Sequence, residues 1–248
     1  MQTIIDIGAS KGKDPHWPSD ALVIGFEPDP VLFAELPQDA TRKYFPVAVW
    51  EVPGTRKFYI LKGRTNSSLY PPNYDIIAHF GNGNSQESKK HLEQFDIAEI
   101  REIPVDTLDN VLDRGGVEQI DCIKIDAQGA TLPILKGAER TLAHVGELLV
   151  EVEFIPLYEG QPLFGEVDAW LRQRNFILME LHVTSWKRNG HSQVVYADAR
   201  YVPDATYKKS PLGGGIEEFG IRKDILSKVY RKMRKMKLRK KLSGIFHH

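Results

Sequence analysis

Apolar residues recur along this chain in two rhythms. Short, nearly continuous runs rich in Ile and Val are "TIIDI" (3–7), "ALVIGFE" (21–27), "KYFPVAV" (43–49), "CIKID" (122–126) and "ELLVEVEF" (147–154). They predict strands covered on both faces. Between the last two, "LPILKGAERTL" sets Leu132, Leu135, Ala138 and Leu142 on one helical face, with Pro133 tolerated in the first turn. "FGEVDAWLRQR" repeats the helical spacing with Val167, Trp170 and Leu171. "FILMELHV" (176–183) and "QVVYADARYV" (193–202) read as an antiparallel pair joined by a polar hairpin. Strand and helix therefore alternate, which predicts an α/β fold with a doubly wound, mostly parallel seven-stranded sheet.

Two segments break the alternation. Residues 52–105 hold a Pro53-Gly54 turn, the strand-like "RKFYIL", the polar "GRTNSSLYPPNY", a Gly/Asn/Ser-rich loop near 81–88 and a strand at 100–105. We expect a β-containing insertion over one edge of the sheet, where substrate contacts are common. "KKSPLGGGIEEFG" reads as a flexible connection, so the predicted organisation is 1–207, a Gly-rich linker at 208–221 and a tail at 222–248.

Charge changes the picture of that tail. The 248 residues carry 33 basic and 33 acidic side chains, but residues 222–248 hold 11 of the former and one of the latter. The body is about −10 and the tail about +10. Ile225, Val229, Met233 and Met236 fall at helical spacing among the lysines and arginines. A basic amphipathic helix of this kind, over 222–242, fits an anionic membrane surface or an acidic partner; a solubilising helix packed on the acidic body, in a homodimer, fits equally. No known motif supports nucleic acid. With no signal peptide, no apolar stretch long enough to span a bilayer and a single cysteine, Cys122, the expected location is cytoplasmic, with peripheral contact at the inner membrane face as a variant. Cys122 itself reads as a small core residue.

The candidate chemistry starts at "IDIGASKG". A strand ending in Gly8 and Gly12, followed about 20 residues later by Glu27 at the end of another strand, is a nucleotide-site arrangement. Ser10 removes the dinucleotide fingerprint G-x-G-x-x-G. Asp29 in "FEPDP" is placed to cap a helix that begins at Pro30. Asp126 ends the fourth main strand, where open α/β sheets bind ligands.

These segments, with "FPVAVWEVPGTRKFYI", "TNSSL", "PVDTLDNVL", "IKIDAQGATLPILKGAE" and "LLVEVEF", resemble in order the FkbM family of S-adenosylmethionine-dependent O-methyltransferases over roughly residues 3–200. Ser10 and Thr131 depart from it: the family usually has Asn and Glu there, and it often carries residues ahead of the first strand. The resemblance implies a Rossmann-like class I methyltransferase fold and S-adenosylmethionine as cofactor. It also implies methyl transfer to a hydroxyl of a sugar, glycan or natural product. Asp6, Gly8, Ser10 and Gly12 would surround the methionine end of the cofactor. Glu27 would bind the ribose hydroxyls, with Pro28 and Asp29 shaping that wall. Ala48 and Val49 would lie near the adenine, and Asn66 with Ser67 or Ser68 would cap the cofactor from the insertion. Asp126 and Gln128 would lie near the reacting end, and Lys124 would pair with a carboxylate.

An alcohol must lose its proton during attack, so a base is required. Asp126 is the first candidate, followed by Glu153 and His182 at the ends of later strands. Asp121, Asp126, Glu151, Glu153 and His182 lack metal-ligand spacing, so no metal is expected. Two alternatives stand beside this reading: a nicotinamide-dependent oxidoreductase, which lacks its glycine fingerprint and a Tyr-x-x-x-Lys pair here, and a non-catalytic module on the same fold, kept open by Thr131.

Overall fold

The computed structural model describes residues 1–10, 12, 17–80, 86–117, 119–188 and 190–205. The predicted linker at 208–221 and basic tail at 222–248 lie outside the described residues, as does most of the Gly/Asn/Ser-rich loop. Among the described residues no helix is long and apolar enough to cross a membrane.

Seven strands form the main sheet: β1 (Thr3–Ile7), β2 (Leu22–Phe26), β3 (Arg42–Phe45), β7 (Ile120–Ile125), β8 (Val145–Glu153), β9 (Phe176–Arg188) and β10 (His191–Pro203). A second sheet holds β4 (Ala48–Val49), β5 (Gly54–Leu61) and β6 (Ile97–Asp106). The main order is β3-β2-β1-β7-β8-β10-β9, parallel from β3 to β8, with β10 antiparallel to both neighbours. The expected mostly parallel seven-stranded sheet is therefore present. The order reverses at β1, since β2 and β7 flank it, and in open α/β sheets that crevice at the carboxyl ends takes ligands.

One predicted strand divides. "KYFPVAV" ends in the main sheet at Phe45, and after Pro46 and Val47 the chain re-enters a ladder as β4, paired with β6 in the second sheet. Proline cannot donate to a ladder, and the break falls there. The hairpin at the other end is longer than expected. β9 and β10 run through "TSWKR" and "HSQ", where Trp186 packs on Tyr196 across the hairpin and on Phe80, His91 and Phe95 of the insertion.

The helices are α1 (Pro30–Glu35), α2 (Tyr74–Ile77), α3 (Gln86–Glu93), α4 (Leu108–Gly115), α5 (Thr131–Lys136), α6 (Glu139–Leu142) and α7 (Phe164–Gln173). The predicted helix after β7 breaks at Gly137 into α5 and α6, yet Leu132, Leu135, Ala138 and Leu142 are all buried. Pro133 sits at the third position of α5, where its missing N–H breaks no helical bond. At Gly137 a Cβ would lie 2.1 Å from the Trp50 carbonyl oxygen, so only glycine lets this helix end rest on the start of the insertion.

Alternation in the strands decides the core. Ile5, Ile7, Ile123, Ile125, Val150, Val152, Ala197 and Ala199 point to one face and join Leu135, Val167 and Leu171 in the main core. The opposite face carries Asp6, Lys124, Glu151 and Asp198 toward the carboxyl ends of the strands. Cys122 is buried on that face beside Leu149.

The insertion does not lie over one sheet edge as expected; it reaches across the strand ends. Arg64 pairs with Asp29 after β2, Ser68 bonds to Gln128 after β7, and Phe80 packs on Trp186 of the hairpin with ring centroids 5.5 Å apart. Its own small core comprises Leu61, Ile77, Phe80 and Phe95, with Leu157 and Tyr158 from the main domain.

Candidate active site

The carboxyl ends of β1, β2, β7 and β8 and the middle of antiparallel β10, roofed by residues 64–69, enclose a cavity of about 580 Å³. Most of the expected cofactor residues line it: Asp6, Gly8, Ser10 and Gly12 from the first loop, Glu27 and Pro28 after β2, Ala48 and Val49 in β4, Asn66, Ser67 and Ser68 from the insertion, and Asp126 and Gln128 after β7.

The first loop turns sharply at Gly8, which has φ of +86°. A Cβ there would sit 2.1 Å from the Asp126 carbonyl oxygen. Glycine is required at this point so that the ends of β1 and β7 can meet, a packing demand and not only ligand access. Asp126 N–H in turn donates to the Ile7 carbonyl at 2.9 Å.

Glu27 is buried, and its Oε1 accepts from the Asp29 N–H at 2.8 Å. Burial pushes its pKa up to about 7; that backbone bond opposes the rise, and the Asp29 and Asp6 carboxylates add to it. Asp29 does not line the cavity. It is fully buried behind the wall, caps α1 through the Val31 N–H at 2.9 Å, and accepts Arg64 Nη1 on both oxygens at 2.7 Å. Its expected cofactor contact is thus replaced by a joint between the β2 end and the insertion. Arg64 lines the cavity and carries no sequence signal beyond its place beside "TNSS".

The insertion's serines act as props. Ser67 Oγ accepts from the Leu61 N–H at 3.1 Å. Ser68 Oγ donates to the Gln128 carbonyl at 2.7 Å and accepts from the Tyr70 N–H at 3.0 Å. Apolar side chains from Phe26, Leu32, Ala48, Val49, Phe58 and Ile134 complete this part of the wall. An apolar slot beside a buried carboxylate at a β-strand end suits a ligand that carries a flat apolar group next to hydroxyls.

At the β7 end, Lys124 Nζ donates to Asp6 Oδ1 at 3.0 Å and lies 3.8 Å from Asp126 Oδ2, so the expected carboxylate partner is found. Burial alone would lower its pKa, but the charges of Asp6, Asp126 and Asp198 outweigh it and hold the ammonium above its ordinary value. Gln128 has φ of +49°, an uncommon backbone state for a residue other than glycine. This turn aims its amide nitrogen at two carboxylates, Asp126 Oδ1 and Glu151 Oε1, each at 3.0 Å. Its amide oxygen lies 3.0 Å from the Tyr158 hydroxyl.

The three base candidates separate. Asp126 opens on the cavity. Glu153 does not line it: it is 3% exposed, held by its own N–H and that of Gly129, and burial, with the Asp126 charge, raises its pKa well above the carboxylate range. His182 is exposed on the edge strand β9, 3.0 Å from Glu180, away from the cavity lining. Glu151, Tyr196 and Asp198 line the cavity and were not among the expected site residues. Glu151 had a signal, since alternation in "VEVE" puts it on the same strand face as Glu153; Tyr196 and Asp198 had none without the β8–β10 register. Thr131 is buried, and its hydroxyl donates to the Glu151 carbonyl at 2.7 Å, so it steadies β8 without reaching the cavity. Among the described residues no three His, Cys, Asp or Glu side chains are grouped to hold a metal ion.

The family model described as "Methyltransferase FkbM domain" matches residues 6–178. A protein of Sinorhizobium fredii (strain NBRC 101917 / NGR234), described as "2-O-methyltransferase NoeI", is 30% identical over 178 residues, covering 66% of this chain and 69% of the relative. No solved structure matches the chain.

Proposed function

Because the chain belongs to the FkbM methyltransferase family, we propose that it transfers the methyl group of S-adenosylmethionine to a hydroxyl of a sugar, glycan or natural product. The observation that carries this reading is the single cavity joining Gly8, Glu27 and the apolar slot at one end to Asp126 at the other. The printed activity of the relative, a 2-O-methyltransferase, supports oxygen as the atom methylated.

When bound, S-adenosylmethionine supplies an electrophilic methyl carbon on a sulfonium, released as a neutral thioether. The protein contributes alignment and a dry site, which supply much of the rate of an in-line displacement. Glu27 and the apolar slot would hold the adenosine end. The β1 loop, beside Asp6 and Lys124, would hold the amino-acid end. Asp126, fixed through one oxygen by the Gln128 amide, takes the hydroxyl proton as the oxygen–carbon bond forms. Glu153 and His182 lie off the cavity and are given no part in this scheme.

Isothermal titration calorimetry with S-adenosylmethionine, S-adenosylhomocysteine and NAD tests the reading. Heat with the adenosyl ligands is expected. Heat with NAD alone would favour an oxidoreductase, and no heat with either adenosyl ligand would sink the proposal.

A further inference from the structure

Arg64 opens the roof of the cavity, on a single 3₁₀ turn, Arg64–Asn66, and its partly exposed side chain lines the space beneath. Nη1 donates to both oxygens of Asp29 at 2.7 Å, while Nε and Nη2 donate to no described residue. Asp29 is fully buried, so its charge requires a partner. Its backbone N–H also donates to Glu27 Oε1 at 2.8 Å. One buried residue therefore sets two side chains at the same end of the cavity: Glu27, an acceptor on the strand end, and Arg64, a cation on the roof.

Neutralising Asp29 does not by itself call for a guanidinium. Asp29 engages a single nitrogen of it, and a lysine ammonium would meet that demand as a point charge. What arginine adds is a planar face and the N–H groups on Nε and Nη2, carried by a side chain that lines the cavity. Position narrows what that face can meet. The other end of the roof is held at β7, where Ser68 Oγ donates to the Gln128 carbonyl at 2.7 Å. Asp29 follows β2 and Gln128 follows β7, and β1 lies between those strands. Arg64 is thus on the Glu27 side of the cavity, and Asp126 on the other.

Resting on the methyl-transfer reading, we propose that Arg64 is a cofactor-binding residue, which covers the base of S-adenosylmethionine from the roof while Glu27 takes the ribose hydroxyls from below. A guanidinium stacks on an aromatic face as an ammonium does not, and the attraction grows where water is excluded. The bond to Asp29 holds the side chain in place before the ligand arrives, which lowers the ordering cost of binding. The contact is with the adenosine half alone. Losing the guanidinium therefore weakens every ligand that carries adenosine to the same degree, whatever follows the sulfur.

The test compares S-adenosylhomocysteine with 5′-methylthioadenosine, which lacks the amino-acid end, by calorimetry on the full chain. Arg64→Lys keeps a cation for Asp29 and removes the planar face. Both ligands should bind it about tenfold more weakly, with the ratio of their affinities within about twofold of the wild-type ratio. In the wild type, the Arg64 Nε–H resonance should move upfield when either ligand is added, from the ring current of a base stacked on the guanidinium. Unchanged affinity for both ligands, a loss confined to S-adenosylhomocysteine, an Nε–H resonance unmoved by methylthioadenosine, or failure of methylthioadenosine to bind where S-adenosylhomocysteine does would each overturn the proposal. The wild-type resonance decides even where Arg64→Lys fails to fold. Binding of neither ligand to the wild type is a separate result, which would remove the methyl-transfer reading itself.

Discussion

The Tyr158 hydroxyl stands 2.8 Å from the Asn66 carbonyl and 3.0 Å from the Gln128 amide oxygen, so one buried phenol joins the insertion to the residue that bridges Asp126 and Glu151. The phenol has one proton and two acceptors beside it. Burial holds its pKa well above the ordinary tyrosine value, so it remains a neutral donor. The roof over the cavity and the carboxylates at its floor are thereby fixed to a common point.

Tyr158→Phe keeps the ring that packs against Phe95 and removes only this joint. A part-buried acceptor then loses its donor. The expected loss is about 1–3 kcal/mol in unfolding free energy by urea titration. S-adenosylhomocysteine binding should also weaken, since the Asn66 turn is no longer held.

Glu27→Ala should weaken S-adenosylhomocysteine binding by roughly 1.5–3 kcal/mol, the range for hydrogen bonds to a charged group. The wild-type affinity should also depend on pH. With the Glu27 pKa raised to about 7 in the free protein, the carboxylate that ribose hydroxyls would bond forms as pH rises. Affinity should increase from pH 6 to 8, by at most about tenfold per unit, and protons should be released on binding below pH 7. Calorimetry in buffers of different ionisation enthalpy measures that release.

Asp126→Asn leaves the Gln128 contact site occupied by an amide but removes the proton acceptor. Turnover should fall by about 10²–10⁴ while S-adenosylhomocysteine affinity changes little. A loss confined to cofactor affinity would instead make Asp126 a binding residue.

Gly8→Ala should be among the most damaging single changes. It combines a left-handed backbone with a Cβ 2.1 Å from the Asp126 carbonyl oxygen, where only the β1 or β7 end can give way. Destabilisation of roughly 2–4 kcal/mol is expected, with loss of S-adenosylhomocysteine binding in whatever remains folded.

Stability should fall as pH rises from about 5 to 8. Glu147, buried beside Arg200, has its pKa raised by burial to about 7, partly countered by Arg200, and Glu27 is raised likewise. Both bind a proton more tightly folded than unfolded. Their contribution is complete below the unfolded value near 4.5 and is lost as pH climbs through about 7. Each group adds a slope of at most about 1.4 kcal/mol per pH unit. Thermal melts across that range, repeated with Glu147→Gln, should show a shallower decline in the variant.

Much of the fold was legible in periodicity. Doubly covered strands read as continuous apolar runs, and Pro30 with Asp29 marked a helix start that the structure reproduces. The "KYFPVAV" run misled because apolar character does not say which sheet a strand joins; Pro46 and the pairing of Val49 with Asp106 do. The insertion's place over the strand ends was equally hidden, since it depends on contacts such as Ser68 with Gln128, 60 residues apart.

Sequence by itself determined the α/β class, the glycine turn after β1, the carboxylates at the ends of β2 and β7 and, through ordered motifs, the family. Those features are local: each depends on a run of neighbouring residues or on a strand's own end. Tertiary structure decided which carboxylates share a space. It set Asp29 behind the wall, put Glu153 under the Gly129 turn and left His182 on the outer edge. It also brought Glu151, Tyr196 and Asp198 into the cavity. Register across β7, β8 and β10 made that choice, because hydrogen bonding between strands far apart in the chain fixes which side chains stand abreast, and no spacing along the chain encodes it.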